Sequence, residues 1–304
     1  MPSPPSHPTH LDPSELGTKE YWDKYYQNDL DNADVDDEDE IEDDDQPDPS
    51  DLESWFDDVG APAKTLEFLT SETFPLSPNY NHSGADETSR SHHPSVLDLG
   101  TGNGSALFAL RFEGGYTGRM VGVDYSRQSV ELARKLARQY ISSSRSDGNV
   151  DANVESNSNS KTSGTGEGEM SFEILDLIHD TPSEQNWWPE AGFDLVLDKG
   201  TFDAISLSSA TVLDSATDQE RRICEMYPAK VLEMVRPEGF LLVTSCNWTE
   251  DEVVSWFTNA DSRGTTTGKF EVYDRIRYPV FEFGGQKGQG VASVCFRKTA
   301  DESQ

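Results

Sequence analysis

The sequence predicts an α/β fold, a mostly parallel sheet with helices on both faces, and two observations carry that prediction. From residue 94 onward, short and continuously apolar runs alternate with stretches of helical periodicity. That is the pattern of strands buried on both faces and linked by crossover helices. In addition, the first apolar run, SVLDLG (95–100), passes directly into a glycine-rich turn, TGNG, before a helical stretch. Ligands of such sheets bind outside the carboxyl ends of the strands, so each strand end is a place to look for chemistry.

In order, SVLDLG (95–100) is followed by a helix, SALFALRF (105–112), and by the strand RMVGVDYS (119–126). RQSVELARKLARQYI (127–141) sets Val130, Ala133, Leu136, Ala137 and Tyr140 on one face, the spacing an amphipathic helix requires. FEILDL (172–177) reads as a third strand and FDLVLDKG (193–200) as a fourth. A helix around AKVLEMV (229–235) precedes the fifth strand, GFLLVTSCNW (239–248). Thr249-Glu250-Asp251-Glu252 fits a capping box opening the helix DEVVSWF. EVYDRIRYPVFEF and VASVCFRK flank GGQKGQG, which predicts a closing antiparallel hairpin.

The 304 residues carry a formal net charge of -33, and the acid is concentrated. From Asp29 to Asp58 the chain reads DLDNADVDDEDEIEDDDQPDPSDLESWFDD, with no Lys or Arg. Such a block repels itself and buries too little apolar surface to order its middle. SPNYNHSGADETSRSHH (77–93) and the Ser/Asn/Gly-rich stretch 142–169 are poor in the same way. Setting these aside leaves roughly 200 residues, one ordinary domain. The expected organisation is a disordered N-terminus over 1–14, an ordered N-terminal segment over 15–28 and an acidic disordered insert over 29–52. One folded domain then spans 53–298, with disordered inserts near 77–93 and 142–169, and a tail covers 299–304.

No apolar stretch approaches the ~20 residues of a membrane span, and MPSPPSHPTH lacks the basic and apolar regions of a signal peptide. Cys224, Cys246 and Cys295 show no metal-ligand spacing, and an odd count argues against a disulfide framework. A cytoplasmic, reduced monomer without metal or membrane partner is expected. The acidity argues against nucleic acid, since like charge repels. It suits a basic protein partner, whose encounter it would speed, and equally a solvated tract that keeps the chain soluble.

The strand ends carry the chemistry. After the first strand comes Asp98-Leu99-Gly100-Thr101-Gly102-Asn103-Gly104. A dinucleotide fingerprint needs G-x-G-x-x-G, and its third glycine would fall on Ser105. The spacing found, G-x-G-x-G, resembles motif I of class I S-adenosylmethionine-dependent methyltransferases; taken alone, it is also compatible with a tight turn. Asp98 suits a cationic sulfonium donor or an orienting role in the loop. Asp124 ends the second strand, where a carboxylate accepts hydrogen bonds from ribose hydroxyls or steadies a helix N-terminus. Asp176 and Leu177 end the third, suited to an adenine amino group and ring face. Together these predict S-adenosylmethionine as the cofactor.

The fourth strand ends in Asp198-Lys199-Gly200-Thr201, within LDKGTFDAISL (197–207). No N-P-P-aromatic tetrapeptide of the kind linked to nucleobase or amide methylation stands here, and an acid fits an amine. Near pH 7 only about one lysine amine in 2500 is neutral, a cost of roughly 4–5 kcal/mol to deprotonate. A buried carboxylate would raise the amine's pKa further, so orientation is the role expected of Asp198 at the acceptor. Lys199 reads as a structural partner of nearby acid, and Asp203 as serving the start of the next helix.

With those residues in place, the chain resembles the elongation factor 1-alpha lysine methyltransferases of fungi and animals. The matching stretches are ELGTKEYWDKYY (15–26), ESWFDD (53–58), VLDLGTGNG (96–104), GVDYS (122–126), LDKGTFDAISL (197–207) and SCNWT (245–249). The resemblance implies the class I methyltransferase fold, a Rossmann-like, seven-stranded, mostly parallel sheet with a C-terminal antiparallel hairpin. It implies mono- or dimethylation of a lysine on translation elongation factor 1-alpha. Gly100, Gly102 and Gly104 would form the donor loop, with Asp98, Asn103, Asp124, Tyr125, Asp176, Leu177 and Asp198 also at the donor. Asp198 would serve catalysis, and Thr201, Asn247 and Trp248 would face the substrate. Tyr21 and Trp22 would belong to a lid over 15–28; the same residues, with Tyr25, would also suit an amphipathic helix docked on the core. Trp55-Phe56 and Trp187-Trp188 read as packing or substrate-surface residues. Two alternatives stand beside this: a methyltransferase for another protein amine or N-terminus, and a non-catalytic S-adenosylmethionine-binding module.

Overall fold

A computed structural model describes residues 7–36, 52, 54–81, 93–146, 168–214, 218–259, 268–283 and 286–299. Its strands are β1 (Val96–Leu99), β2 (Met120–Asp124), β3 (Met170–Ile174), β4 (Phe193–Lys199), β5 (Thr211–Asp214), β6 (Gln219–Arg222), β7 (Val235–Ser245), β8 (Phe270–Ile276), β9 (Val280–Phe283), β10 (Gln286–Gln289) and β11 (Ala292–Lys298). Its helices are α1 (Lys19–Asp36), α2 (Ala61–Leu69), α3 (Ser105–Phe108), α4 (Arg127–Ser146), α5 (Thr201–Ser206), α6 (Ile223–Met234) and α7 (Glu250–Thr258).

Seven strands form one sheet in the order β3-β2-β1-β4-β7-β11-β8. The first five run parallel, and β11 lies antiparallel between β7 and β8. The chain builds outward from β1 to β2 and β3, then returns to place β4 on the other flank of β1. That reversal is the switch point where such sheets bind ligands. It also sets the glycine turn beside the fourth strand's end, with Leu99 in register with Asp198.

Alternation along the strands divides the core into two layers. Leu97, Leu99, Val121, Val123, Val196, Leu241 and Val243 face α5, α6 and α7, meeting Phe202, Tyr227, Trp256 and Phe257. Val96, Leu195, Leu197, Phe240 and Leu242 face the opposite way, toward Leu69, Leu107, Phe108, Val130 and Tyr140. Full burial of each such side chain contributes ~1.5–3 kcal/mol, and this two-sided burial is why the strands read as unbroken apolar runs. The helix over 105–112 is present as α3 followed by a π-helical turn at Ala109–Glu113. The capping box of α7 is present, with Thr249 Oγ1 accepting from Glu252 N and the Glu252 carboxylate accepting from Thr249 N.

Several details differ from expectation. The expected C-terminal antiparallel pair is present as β8 and β11, but GGQKGQG is more than a connection. QKGQ is itself β10, paired with β9 in a separate two-stranded ribbon, while β8 and β11 pair across that ribbon. A second ribbon, β5–β6, was not expected from its polar sequence. The third strand begins at Met170 rather than Phe172, because Met120 N donates to Glu169 O and draws the edge of the Ser/Asn/Gly-rich stretch into the sheet. Asp176 therefore lies in the loop after β3.

The N-terminus is ordered from His7 onward instead of disordered over 1–14. His7 stacks on Trp256 with ring centroids 4.7 Å apart, and Arg222 Nη1 donates to Leu11 O at 2.7 Å. These partners lie more than 200 positions along the chain, beyond what local composition registers. Helix α1 continues past residue 28 to Asp36, into the acidic tract, packed along α4 with Tyr26 buried. The rest of the 29–52 expectation lies outside the described residues, Leu52 excepted. So do the cores of the expected inserts, residues 82–92 and 147–167. Among the described residues, no helix is long and apolar enough to cross a membrane.

Candidate functional site

The glycine turn follows from backbone geometry. Gly100, Gly102 and Gly104 hold φ of +62°, +57° and +86°, the left-handed region that favours glycine. All three are also too crowded for a side chain, Gly104 because a Cβ would lie 2.9 Å from the Phe172 ring. A Cβ on Gly100 would lie 2.1 Å from Thr201 Oγ1, and one on Gly102 would lie 2.6 Å from the Tyr26 hydroxyl. Asp124 anchors the turn: its Oδ2 accepts from Gly102 N at 3.2 Å and its Oδ1 from Ser126 N at 2.9 Å. The Ser129 hydroxyl sits 2.8 Å from both Asp124 Oδ2 and Gly102 O. Burial pushes the Asp124 carboxyl up, and these hydrogen bonds oppose the shift. Asp98 is buried behind the turn, where its Oδ2 accepts from Thr101 Oγ1 at 2.8 Å; burial pushes it up to about 6. Asn103 Oδ1 accepts from Ser105 N and closes the turn's far side.

A cavity of about 340 Å³ opens at this switch point. Gly100, Asp124, Tyr125, Asp176, Leu177 and Ile178 line it together with Gly200, Thr201, Asp203 and Asn247, and the N-terminal segments add Trp22, Tyr26, Trp55 and Phe56. The Asp176 carboxylate accepts from Ile178 N and His179 N and lies 2.9 Å from His179 Nδ1. Burial raises its pKa, but those hydrogen bonds win and hold it below the ordinary value. The N-terminal contribution is aromatic: Trp22 and Trp55 meet edge-on at 5.4 Å, and Trp22 Nε1 donates to Leu16 O at 2.8 Å. Phe56 holds a φ of +70°, an uncommon and strained conformation for a bulky residue. That conformation lays its ring 3.4 Å from where a Cβ on Gly200 would stand.

The sequence-predicted residues divide on this geometry. Gly100, Asp124, Tyr125, Asp176, Leu177, Thr201, Asn247 and Trp22 meet around the cavity. Gly102, Asn103 and Gly104 shape the turn behind it. Asp198 does not line this cavity. Only 1% exposed, it accepts at Oδ1 from Thr201 N (3.0 Å) and Phe202 N (3.1 Å) and at Oδ2 from Tyr227 OH (2.8 Å). Burial pushes it up to about 7, against those hydrogen bonds. Its carboxylate is occupied in capping α5, away from an incoming amine. Trp248 is a core residue among Phe202 and Trp256, its Nε1 donating to Ser206 Oγ. Tyr21 stacks on Tyr25 along α1 and is not among the described lining residues.

Two contributors were under-read in the sequence, Asp203 and Tyr26. Asp203 lines the cavity and gathers the SCNWT loop, accepting from Ser245 Oγ, Cys246 N (2.9 Å) and Asn247 N (3.3 Å). Lys199, as expected, has acid for neighbours: it is half-buried near Asp98, Asp57 and Asp198; desolvation lowers its pKa and the three acids oppose that. Tyr26 closes over Gly102. The signal for Tyr26 was its place in KEYWDKYY at helical spacing from Trp22, whereas for Asp203 only the fold reveals its partners.

The lining suits a nucleoside with a sulfonium and an amino-acid tail. Gly100 brings backbone to the lining, Asp124 presents a carboxylate with lone pairs to spare, and Leu177 and Tyr125 offer faces to a flat ring.

Comparison with known proteins agrees. A family model described as a methyltransferase domain matches residues 91–285, more than half of the chain. The chain is 32% identical over 290 residues to the Saccharomyces cerevisiae protein-lysine N-methyltransferase EFM4, covering 95% of this chain and 96% of that one. It is 32% identical to the Schizosaccharomyces pombe protein-lysine N-methyltransferase efm4, covering 94% and 95%. To the human EEF1A lysine methyltransferase 2 it is 27% identical over 286 residues, covering 94% and 88%. With a glycine turn, a ribose-competent carboxylate and an aromatic-lined cavity at its switch point, the chain belongs to the S-adenosylmethionine-dependent protein-lysine N-methyltransferases.

Proposed function

We propose that this enzyme methylates the ε-amine of a lysine on translation elongation factor 1-alpha, acting as a cytoplasmic monomer. The observation that carries the reading is that one cavity is lined both by the donor-type strand ends at Asp124 and Asp176 and by the aromatic Trp22, Trp55 and Phe56 of the N-terminal segments. The names of its relatives supply the substrate. When bound, S-adenosylmethionine supplies an electrophilic methyl group on a sulfonium. Gly100, Asp124, Asp176 and Leu177 would hold that cofactor at the cavity, where it would supply the methyl to a neutral lysine amine.

What the chain contributes is placement. Gly100 and Gly102 bring backbone against the donor, Asp124 takes the ribose, and Asp176 with Leu177 takes the adenine. Trp22, Trp55 and Phe56 form a channel that grips the lysine stem and holds an ammonium by cation–π attraction worth ~0.5–2 kcal/mol. Their apolar surfaces favour the neutral amine, the form that reacts. Thr201 and Asn247 stand at the acceptor. Asp198 is a positioning residue: by capping α5 it fixes Thr201, whose hydroxyl donates to Leu99 O at 2.6 Å and joins the DKGT turn to the glycine turn.

The test is to incubate the full-length enzyme with methyl-labelled donor and purified elongation factor 1-alpha, then map the label by mass spectrometry. Label on one lysine side chain, lost when that lysine is replaced by Arg, is expected. Label on an α-amine, or label that survives replacement of every candidate lysine, would overturn the lysine reading.

A further inference from the structure

Away from the cavity, the N-terminal segment and helix α6 bring together His7, His10 and Glu225, whose ligand atoms all lie within 4.8 Å of one another. His10 Nε2 is 3.3 Å from Glu225 Oε1, and His7 Nε2 is 3.7 Å from Glu225 Oε2. A tetrahedral zinc ion with bonds of ~2.0–2.1 Å sets its ligand atoms roughly 3.3 Å apart, which these separations approach. The tautomers suit it too. His7 Nδ1 lies 2.8 Å from Pro8 O, a contact that only an N–H can make, so the neutral ring carries its lone pair on Nε2. A backbone carbonyl on the second ring nitrogen is the usual support of a metal-bound histidine. His10 Nε2 is buried with no hydrogen-bond partner.

The rings are also held in place. His7 and His10 stack at 4.7 Å, and His7 stacks on Trp256 at 4.7 Å. Glu225 is already held from two sides: its Oε2 accepts from Arg221 Nε at 3.0 Å and its Oε1 from Arg222 N at 3.1 Å, while the Arg222 guanidinium is turned to the carbonyls of Leu11, Ser206 and Ser208. Each carboxylate oxygen keeps a further lone pair for an ion. We propose that His7, His10 and Glu225 form a binding site for a divalent transition metal of the zinc class, with water in the fourth position. The ion would pin the N-terminal segment to α6. That segment leads through Ser14, whose N–H donates to Leu207 O, into the helix that lines the cavity.

The experiment uses chelator-treated full-length enzyme, with zinc followed by titration calorimetry and cobalt(II) by visible absorption. One ion per chain is expected, with the intense visible bands of a tetrahedral cobalt site and a zinc-dependent rise in melting temperature. In a His7→Gln/His10→Gln variant, affinity should fall at least about tenfold, and both the bands and the melting shift should vanish. Calorimetric binding of S-adenosylmethionine by that variant checks that it is folded. Binding of equal strength in both proteins, as the acidic tract would give, or no tetrahedral cobalt spectrum, would overturn the proposal.

Discussion

A carboxylate out of reach of water holds the DKGT turn, and its titration should be visible in stability. Burial raises Asp198 to about 7 and Asp98 to about 6, from an ordinary carboxylate value of 3.8. Between about pH 4 and about pH 7 the folded chain therefore keeps protons that the unfolded chain has released. With more protons on the native state, stability falls as pH rises through that window. Asp198→Asn should flatten part of this slope in urea melts, because the amide oxygen still accepts from Thr201 and Phe202 and the Tyr227 hydroxyl can turn to accept. An unchanged slope would refute the assignment. Gly102→Ala should act differently: its Cβ displaces Tyr26, so calorimetry should show donor affinity falling about tenfold or more, with the unfolding slope unchanged. The glycines and Asp124 were legible in the sequence because their roles rest on local spacing. The burden on Asp198 was not, because Tyr227 is 29 residues away.

At the scale of elements, the strands buried on both faces were the most legible part, since an unbroken apolar run as short as FDLVL suits a covered strand better than a helix. The ribbons β5–β6 and β9–β10 were the least legible, because each sets a polar strand, QERR or QKGQ, against its partner outside the main sheet. The aromatic lining was half-legible. KEYWDKYY announced an aromatic helix, but its meeting with Trp55 depends on how two N-terminal segments pack. Trp55 is 39% exposed at the cavity mouth, so its removal should leave the fold intact. Trp55→Ala should raise KM for the protein substrate roughly fivefold, about 1 kcal/mol of cation–π contact, with donor affinity unchanged. Equal loss of donor binding would make it a packing residue instead.

For the molecule as a whole, the net charge of -33 creates a long-range field that draws in a basic partner and repels an acidic one. Salt screens such a field over a Debye length of ~10 Å at 0.1 M. Raising ionic strength from about 0.05 to about 0.5 M should therefore lower kcat/KM for the protein substrate several-fold while leaving kcat nearly constant. A fall in kcat of the same size would place the salt effect in the chemistry rather than the encounter. The sign of this charge was plain from composition.

The Tyr26 hydroxyl seated over Gly102 also has a kinetic meaning. Were α1 to undock for each exchange of donor and spent product, the helix and not the chemistry would time the cycle. At saturating donor, turnover would be timed by a hinge and would slow in viscous solvent.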